Sequence, residues 1–254
     1  MIDEAPLPDG FVLHELDRVD STNEEIRRLA EAGASSGLVV LAAQQTRGRG
    51  RYGRDWASPP GNLYASLLLR LDGPLATSAQ LSFVAGLALA EALEPHAPPD
   101  APVQLKWPND ILIRRAKTAG VLLESTGQIN GGRAPWIIVG TGVNIVSSPD
   151  NTPYPATSLV AEGFAAVTPR ALLGDYLVAL VRWLDCWRTD GFAEVRRAWC
   201  ARSFGLGDQI RLRLDREELS GRFVDVTESG ALLLELDTGG RREIAAGDVF
   251  YPDR

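Results

Sequence analysis

The segment VQLKWPNDILIRRAKTAGVLLES (residues 103–125) decides the fold, because it holds three short apolar strands separated by brief turns. We predict strands at VQLKW (103–107), ILI (111–113) and AGVLLES (119–125), with Trp-Pro-Asn-Asp as the first turn. Parallel neighbours need a crossover of about a dozen residues or more, whereas antiparallel strands can follow one another through a tight turn. The segment therefore predicts hairpins and argues against a doubly wound parallel sheet.

The chain on either side of this segment alternates between helical and strand patterns. STNE (21–24) fits a capping box, in which the serine hydroxyl caps a helix running to about residue 31 and the glutamate reaches back, with Gly33 as the stop. Thr168-Pro169 opens a long helix that is interrupted near Gly191 and continues to about residue 202. The other predicted segments are a buried strand at 38–45, a loop at 46–62, a strand at 63–70, a mostly buried helix at 77–94 and a strand at 136–145.

After Gly205 the pattern changes to a period of two in QIRLRL, GRFVDV, ALLLEL and RREIAA, with Gly and Asp at the joints. This tail of about 50 residues predicts a small antiparallel barrel or sandwich. The fold class is therefore α+β, with a large mixed domain expected at 1–203 and a small β-domain at 204–254.

Composition excludes several classes of protein. The net charge of −7 and the pI near 5.0 argue against a general binder of nucleic acids or anionic membranes. No apolar run reaches the roughly 18 residues that a transmembrane helix needs, and the acidic start MIDEAPLPDG is unlike a signal peptide. Cys186 and Cys200 have no metal-ligand spacing. We expect a cytoplasmic protein with reduced cysteines.

Basic residues are unevenly chosen, since 24 of the 26 are arginine. Four arginines lie in RGRGRYGR (47–54), whose glycines spell G-x-G-x-x-G, but a Rossmann turn needs a helix next and Asp-Trp-Ala-Ser-Pro-Pro follows instead. Glycines let such a loop change conformation, while arginines offer paired donors to phosphate or carboxylate. The loop alone leaves two interpretations open: an anion-binding loop, or a solvated or RGG-like nucleic-acid contact.

The two lysines, Lys106 and Lys117, lie in one short segment beside Asn109 and Asp110. Asn109 and Asp110 could simply satisfy backbone groups of the turn, or Asp110 could hold a cation or orient Lys117. His14 and His96, the two histidines of the chain, adjoin no Ser or Cys motif. We therefore expect electrostatic rather than covalent catalysis, with arginines, a lysine and Mg²⁺ around a phosphate.

The sequence resembles the biotin–protein ligases in a series of motifs that occur in the family's order. They are STN (21–23), Gln45, GRGRYGRDW (48–56), Ser58-Pro59, GNLYASLLLR (61–70), KWPNDILI (106–113), KTAGVLLE (117–124) and GTGVNI (140–145). The resemblance implies a mixed β-sheet flanked by helices, as in class II synthetases, followed by a small C-terminal SH3-like β-barrel. Only about 20 residues precede the first helix, so we expect a short form without the N-terminal helix-turn-helix repressor domain of some members.

The resemblance implies that biotin and ATP react, with Mg²⁺, to give biotinyl-5′-AMP, and that a lysine of a biotin carboxyl carrier domain then takes the biotinyl group. The carrier would belong to acetyl-CoA carboxylase or a related carboxylase; DNA and membranes are not expected as partners, and monomer and homodimer both stay open. Lys117 and Arg51 are the implied catalytic residues, and Asp110 is the candidate Mg²⁺ ligand. The implied biotin-binding residues are Ser21, Thr22, Asn23, Gln45, Gly48, Arg49, Gly50, Arg51, Lys117, Gly120 and Gly142. The implied ATP- or adenylate-binding residues are Arg51, Arg54, Trp56, Asn109, Asp110, Lys117 and Asn144.

Two alternatives stay open. A lipoate or octanoyl ligase has a similar catalytic domain. The complete GRGRYGRDW segment (48–56, hereafter the arginine loop) and the KWPND segment nevertheless favour biotin. A nucleic-acid-binding module built on the arginine loop is opposed by the net charge of −7.

Overall fold

The computed structural model describes residues 7–70, 79–126, 136–150, 152, 154–214 and 216–251. Seven strands of these ranges form one sheet, in the order β1-β2-β3-β7-β6-β5-β4. The strands are β1 (Val12–Leu16), β2 (Leu38–Ala42), β3 (Leu63–Arg70), β4 (Val103–Lys106), β5 (Asp110–Ile113), β6 (Ala116–Thr126) and β7 (Trp136–Val143). The β1–β2 pair is parallel and the other pairs are antiparallel, so the sheet is mixed and the predicted α+β class is confirmed.

The segment 103–125 folds as predicted into consecutive antiparallel pairs, β4 with β5 and β5 with β6. Lys106 and Asp110 face each other across the first turn as cross-strand partners. Between them, the fully buried Trp107 donates a hydrogen bond from Nε1 to the carbonyl oxygen of Gly230 at 3.0 Å. This bond ties the turn to the C-terminal part of the chain.

Helices cover both faces of the sheet. They are α1 (Thr22–Glu31), α2 (Leu81–Leu93), α3 (Pro169–Asp190) and α4 (Phe192–Ala201). Ile26 of α1 packs on Val40, Leu68 and Ile138, whereas their strand neighbours on the opposite face join the larger core with α2, α3 and α4. This two-sided burial follows from the period-two alternation of side chains along each strand. Among the described helices, none is long and apolar enough to cross a membrane.

The C-terminal part forms a second, five-stranded antiparallel sheet, in the order β11-β10-β9-β8-β12. Its strands are β8 (Gln209–Arg213), β9 (Glu218–Val226), β10 (Leu232–Leu236), β11 (Arg241–Ile244) and β12 (Asp248–Phe250). The change of period after Gly205 thus predicts the all-β tail correctly. Closure of these strands into an SH3-like barrel, and a domain boundary after residue 203, stay predictions.

Helix ends test the predicted start and stop signals. Thr168 Oγ1 accepts a hydrogen bond from the Ala171 amide at 3.1 Å, and the helix stops before Gly191, as predicted. The capping box at Ser21 is wrong: Ser21 makes no side-chain cap hydrogen bond, and its buried side chain lines a cleft instead. Glu24 does not reach back, because it pairs with arginines.

Two strand predictions need correction. The sequence did not predict β1, an edge strand in which the polar His14 and Glu15 are exposed. The strand at 38–45 ends at Ala42, since residues 43–45 leave the sheet on the way to the cleft. The predicted helix 77–94 is observed as α2, and residues 77 and 78 lie outside the described residues.

Candidate functional site

One cleft, with a cavity volume of about 190 Å³, gathers the predicted site residues. Its walls are the start of α1, the arginine loop 48–56 and the start of β12. The large sheet contributes the end of β4, the start of β5, the first half of β6 and the end of β7. Every predicted site residue lines it except Gly48. A Cβ at Gly48 would lie 2.5 Å from both Ser58 Oγ and the Trp56 carbonyl oxygen, so this glycine is packed beneath the loop. The predicted lining residues are Ser21, Thr22, Asn23, Gln45, Arg49, Gly50, Arg51, Arg54, Trp56, Asn109, Asp110, Lys117, Gly120, Gly142 and Asn144.

The polar end of the cleft is a hydrogen-bonded series of uncharged side chains. Gln45 Oε1 accepts from the Thr22 amide at 2.8 Å and from Thr22 Oγ1 at 3.1 Å. Gln45 Nε2 donates to Ser58 Oγ at 2.9 Å, and Ser58 Oγ donates to the Trp56 carbonyl oxygen at the same distance. This series fixes the orientation of the Gln45 amide, so the cleft can present defined donors and acceptors to a polar ligand group.

Asn23 lies beside this end and is held by groups on the sheet. Its Oδ1 accepts from Ser66 Oγ at 2.6 Å, and its Nδ2 donates to Glu124 Oε2 at 2.8 Å. A Cβ at Gly140 would lie 2.3 Å from Asn23 Oδ1, so only glycine admits the amide at that position of β7. Gly140 lines the cleft and was missed at the sequence level, although it lies in the quoted GTGVNI motif.

Trp56 closes the arginine loop against β7. A Cβ at Gly142 would lie 2.7 Å from the Trp56 ring, so the indole rests on the strand backbone. Its Nε1 is buried, and the described part of the chain offers it no hydrogen-bond partner. Buried polar groups are normally paired, so this donor is a candidate to meet an acceptor on a ligand.

The tip of the arginine loop is organised by Tyr52. The Arg51 and Arg54 guanidinium carbons lie 4.9 and 5.6 Å from the centre of the Tyr52 ring. Tyr52 has φ 57°, a left-handed conformation that costs a non-glycine residue roughly 1–2 kcal/mol. Arg51 also donates to Asn109 Oδ1 at 3.4 Å and to the Tyr52 hydroxyl at 3.0 Å.

Lys117, near the start of β6, lines the cleft. Its Nζ lies 2.6 Å from Asp110 Oδ1 and 5.3 Å from the centre of the Trp56 ring. Its backbone accepts from the Thr157 amide at 3.0 Å and donates to the Pro155 carbonyl at 2.8 Å, which fixes its position on β6. The sequence-level possibility that Asp110 orients Lys117 therefore matches the geometry.

Asn144 supports the backbone near Lys117. Its side-chain amide donates to the Thr157 carbonyl at 3.1 Å, and its backbone amide donates to the Thr118 carbonyl at 2.8 Å. Because Thr157 in turn bonds to the Lys117 backbone, Asn144 braces the lysine wall of the cleft.

The C-terminal sheet also reaches the cleft, which the sequence did not predict. Asp248, the first residue of β12, forms an ion pair with Arg54 that raises the pKa of the guanidinium. Lys106 lies nearby, with Nζ 4.5 Å from the centre of the Tyr154 ring and 5.8 Å from that of Tyr251. Burial lowers the pKa of Lys106, and the nearby carboxylates of Asp110 and Asp248 offset this only in part.

A metal has few protein ligands here. Across the described ranges, no group of three or more His, Cys, Asp or Glu side chains could hold an ion. Asp110 is the one predicted metal ligand, and Lys117 already contacts its carboxylate. Mg²⁺ commonly takes one or two carboxylates and completes its shell with water and substrate phosphates. The donor set fits Mg²⁺ only in that manner.

Comparison with known proteins connects this geometry to a family. The sequence model of the Biotin/lipoate A/B protein ligase family matches residues 55–201, and that of the Biotin protein ligase C terminal domain matches residues 205–251. A biotin–acetyl-CoA-carboxylase ligase of Paracoccus denitrificans is 43% identical over 241 residues, covering 93% of this chain and 99% of that protein. The chain belongs to the biotin protein ligase family.

Solved structures of the family share its fold. The biotin protein ligase of Aquifex aeolicus in complex with biotin and ATP matches with a TM-score of 0.79 and 32% identity, covering 94% of this chain and 97% of that one. The biotin protein ligase of Leishmania major in complex with biotinyl-5-AMP matches with a TM-score of 0.64 and 29% identity, covering 92% and 98%. The predicted resemblance is thus confirmed, and a ligase is favoured over a nucleic-acid-binding module.

Proposed function

We propose that this ligase activates biotin with ATP as biotinyl-5′-AMP and transfers the biotinyl group to a lysine of a biotin carboxyl carrier domain. The observation that carries the proposal is the position of Lys117. Its ammonium contacts Asp110 and the Trp56 indole, in the cleft that the uncharged Thr22 and Gln45 and the cationic Arg51 and Arg54 also line. One ammonium can therefore meet groups from two different ligands.

The two ends of the cleft suit the two substrates. The uncharged donors and acceptors at Thr22, Asn23 and Gln45 suit the polar ring of biotin. The cations and the Trp56 indole suit a nucleotide, because guanidinium groups pair with phosphates and an aromatic face stacks on a base. The relatives that carry biotin and ATP, or biotinyl-5-AMP, support this assignment.

In the first step, a carboxylate oxygen of biotin forms a bond to the α-phosphorus of ATP while the bond to the diphosphate oxygen breaks. Two anions must approach each other, so fixed positive groups must offset their repulsion. Lys117 is placed to contact both the carboxylate and the α-phosphate, and Arg51 to contact the phosphate from the loop. In the second step, a carrier lysine attacks the acyl carbon, AMP leaves with the electron pair, and the amine loses a proton.

The arginine loop would also shield the mixed anhydride from water. Arg49 pairs with Glu24 and lies 3.6 Å from Glu124, which fastens the first part of the loop to α1 and β6. Gly50 and Gly53 flank the tip at Arg51 and Tyr52, so the tip can move while its base stays attached.

Asp110 is the proposed Mg²⁺ ligand, and the metal would supply further positive charge at the ATP phosphates. Because Lys117 contacts the same carboxylate, Asp110 would hold the metal while it also positions the lysine. As partner we propose a carrier domain of acetyl-CoA carboxylase or of a related carboxylase, and no DNA. The proposal also includes a cytoplasmic location with reduced Cys186 and Cys200, and a domain boundary between residues 203 and 204.

The decisive test incubates the chain with ATP, Mg²⁺, biotin and a purified carrier domain, and measures biotin on the carrier lysine by mass spectrometry. We expect biotinylation that depends on ATP. Parallel reactions with lipoate and octanoate test the second function that the family name allows. Transfer of lipoate or octanoate, without transfer of biotin, would overturn the proposal.

A further inference from the structure

We propose that Lys106, together with Tyr154 and Tyr251, forms the binding site for the diphosphate that leaves ATP in the first step. The inference rests on the proposed adenylation and extends it, since it gives a role to the lysine that the proposed mechanism does not use. Lys106 is the last residue of β4 and lines the cleft. Its cross-strand partner is Asp110.

Lys106 differs from the other cations of the cleft in its partners. Lys117 contacts Asp110, Arg54 pairs with Asp248, and Arg49 pairs with Glu24. Among the described residues, Lys106 makes no hydrogen bond or ion pair, and its Nζ contacts only the Tyr154 and Tyr251 rings.

Ring contact leaves the hydrogen-bonding capacity of Lys106 unused. An ammonium over an aromatic face is stabilised by the ring quadrupole, whereas its N–H donors still need oxygen acceptors. Lys106 is half-buried, and burial lowers the pKa of its ammonium, an effect that the carboxylates of Asp110 and Asp248 only partly offset. An anion that accepts hydrogen bonds from Nζ would stabilise the charged form further.

The contacts along the cleft indicate which anion. From the uncharged end, Gln45 leads through Ser58 to Trp56, Trp56 contacts Lys117, and Lys117 contacts Asp110. The strand order β7-β6-β5-β4 puts Gly140 beside the proposed biotin end, then Lys117 on β6, and Lys106 last on β4, so Lys106 lies beyond Lys117 as seen from that end. In phosphoryl-type displacement the attacking and leaving oxygens lie roughly in line. A group that leaves opposite biotin, past Lys117, therefore arrives at Lys106.

The rings of Tyr154 and Tyr251 connect Lys106, on β4 of the large sheet, with the C-terminal sheet. Tyr154 stacks on Phe250 of β12 at 5.3 Å, and Tyr251 donates a hydrogen bond to the Phe204 carbonyl at 2.9 Å. The rings that hold Lys106 are thus fixed by the C-terminal sheet and by the segment just before it, which limits the directions that the ammonium can take.

Titration of inorganic diphosphate into the full chain in Mg²⁺ buffer tests the site by calorimetry. We expect Lys106→Ala to weaken diphosphate binding about tenfold or more, because a charge-assisted hydrogen bond is lost. Lys106→Arg keeps a cation and should lose less. An unchanged diphosphate affinity in a Lys106→Ala variant with a wild-type melting temperature would overturn the site.

Separate assays of adenylate formation and of biotin transfer distinguish diphosphate binding by Lys106 from a general structural role. Lys106→Ala should slow biotin-dependent exchange of diphosphate into ATP, with a higher diphosphate concentration for half-maximal rate. Transfer of biotin from supplied biotinyl-5′-AMP to the carrier should stay within about twofold of wild type, because diphosphate takes no part in it. Equal losses in both half-reactions would also overturn the assignment.

Arg213→Ala is the matched control, because it removes a cation held 4.8 Å over the Phe250 ring outside the cleft. It should change neither diphosphate binding nor exchange. A wild-type chain that forms no biotinyl-5′-AMP would refute the proposed function. The diphosphate titration would still decide whether Lys106 is an anion site, so the two failures are distinguishable.

Discussion

Lys117 Nζ lies 2.6 Å from Asp110 Oδ1, and the two residues belong to adjacent strands, β6 and β5. Gly120, the cross-strand partner of Asp110, lies beside this pair: a Cβ there would be 3.5 Å from both Asp110 Oδ1 and Lys117 Nζ, in ordinary van der Waals contact. The carboxylate holds the ammonium at a fixed point in the cleft before substrates bind. Preorganised charge of this kind stabilises a transition state without reorganisation during the reaction.

Replacement of Lys117 by alanine should abolish most adenylate formation. Loss of a preorganised charge at a reacting phosphate typically lowers the rate by about two to three orders of magnitude. Diphosphate release from ATP and biotin measures this step, and circular dichroism checks the fold. Wild-type diphosphate release by a folded Lys117→Ala variant would refute its catalytic role.

Replacement of Arg51 by alanine should let biotinyl-5′-AMP escape faster. Arg51 bridges the loop tip to Asn109 on the opposite wall, so its loss opens the proposed lid. Gel filtration of the enzyme after one turnover, without carrier, measures the fraction of adenylate retained. Retention equal to wild type would contradict the lid.

Tyr52 offers a test that separates positioning from stability. Glycine at position 52 removes the ring under Arg51 and Arg54 and relieves the left-handed strain, but it also adds backbone freedom to the unfolded chain. The free energy of unfolding should therefore change by less than about 1 kcal/mol while the KM for ATP rises. Tyr52→Phe keeps the ring and should keep most of the ATP affinity. A lower melting temperature for Tyr52→Gly, with unchanged KM for ATP, would indicate a structural role only.

Gly142→Ala should displace Trp56, because the new methyl group would lie 2.7 Å from the indole. We expect a loss of about 1–3 kcal/mol in the free energy of unfolding and weaker ATP binding. Gly174→Ala, in the interior of α3 with no atom nearer than 3.9 Å to the new Cβ, is the control and should be stabilising by about 0.5–1 kcal/mol. Equal effects of the two changes on ATP binding would contradict the packing of Trp56.

Acid unfolding should reveal the ion pair between Asp20, just before α1, and Arg28, in the last turn of α1. Arg28 hydrogen bonds lower the pKa of Asp20 to about 2. A lowered carboxyl pKa adds stability above the unfolded value of about 3.9, and this contribution is lost as the pH falls toward about 2. Both side chains are well exposed, so solvent screening keeps the gain below about 1 kcal/mol.

Asp20→Asn measures this contribution. The variant should be less stable than wild type at pH 6, and the difference should shrink as the pH approaches 2 in urea melts. A difference that does not vary with pH would exclude the ion pair as its cause.

The sequence by itself determined the strand pattern of 103–125, the break at Gly191 and the all-β tail, because period, turn residues and caps are local properties of the chain. It also indicated most of the cleft residues through contiguous motifs. It could not assign Asp248 or Tyr154 to the cleft, since both arrive there from distant parts of the chain.

Only the tertiary structure decided how the charges are paired. The sequence showed that Lys106 and Lys117 share a segment, but antiparallel pairing set Asp110 against both and placed Lys106 between two tyrosine rings. Ser21 shows the same limit: its local pattern predicts a helix cap, yet its buried side chain lines the cleft. Local propensity fixes backbone conformation, whereas the partner of a polar side chain depends on which distant groups packing brings within hydrogen-bonding reach.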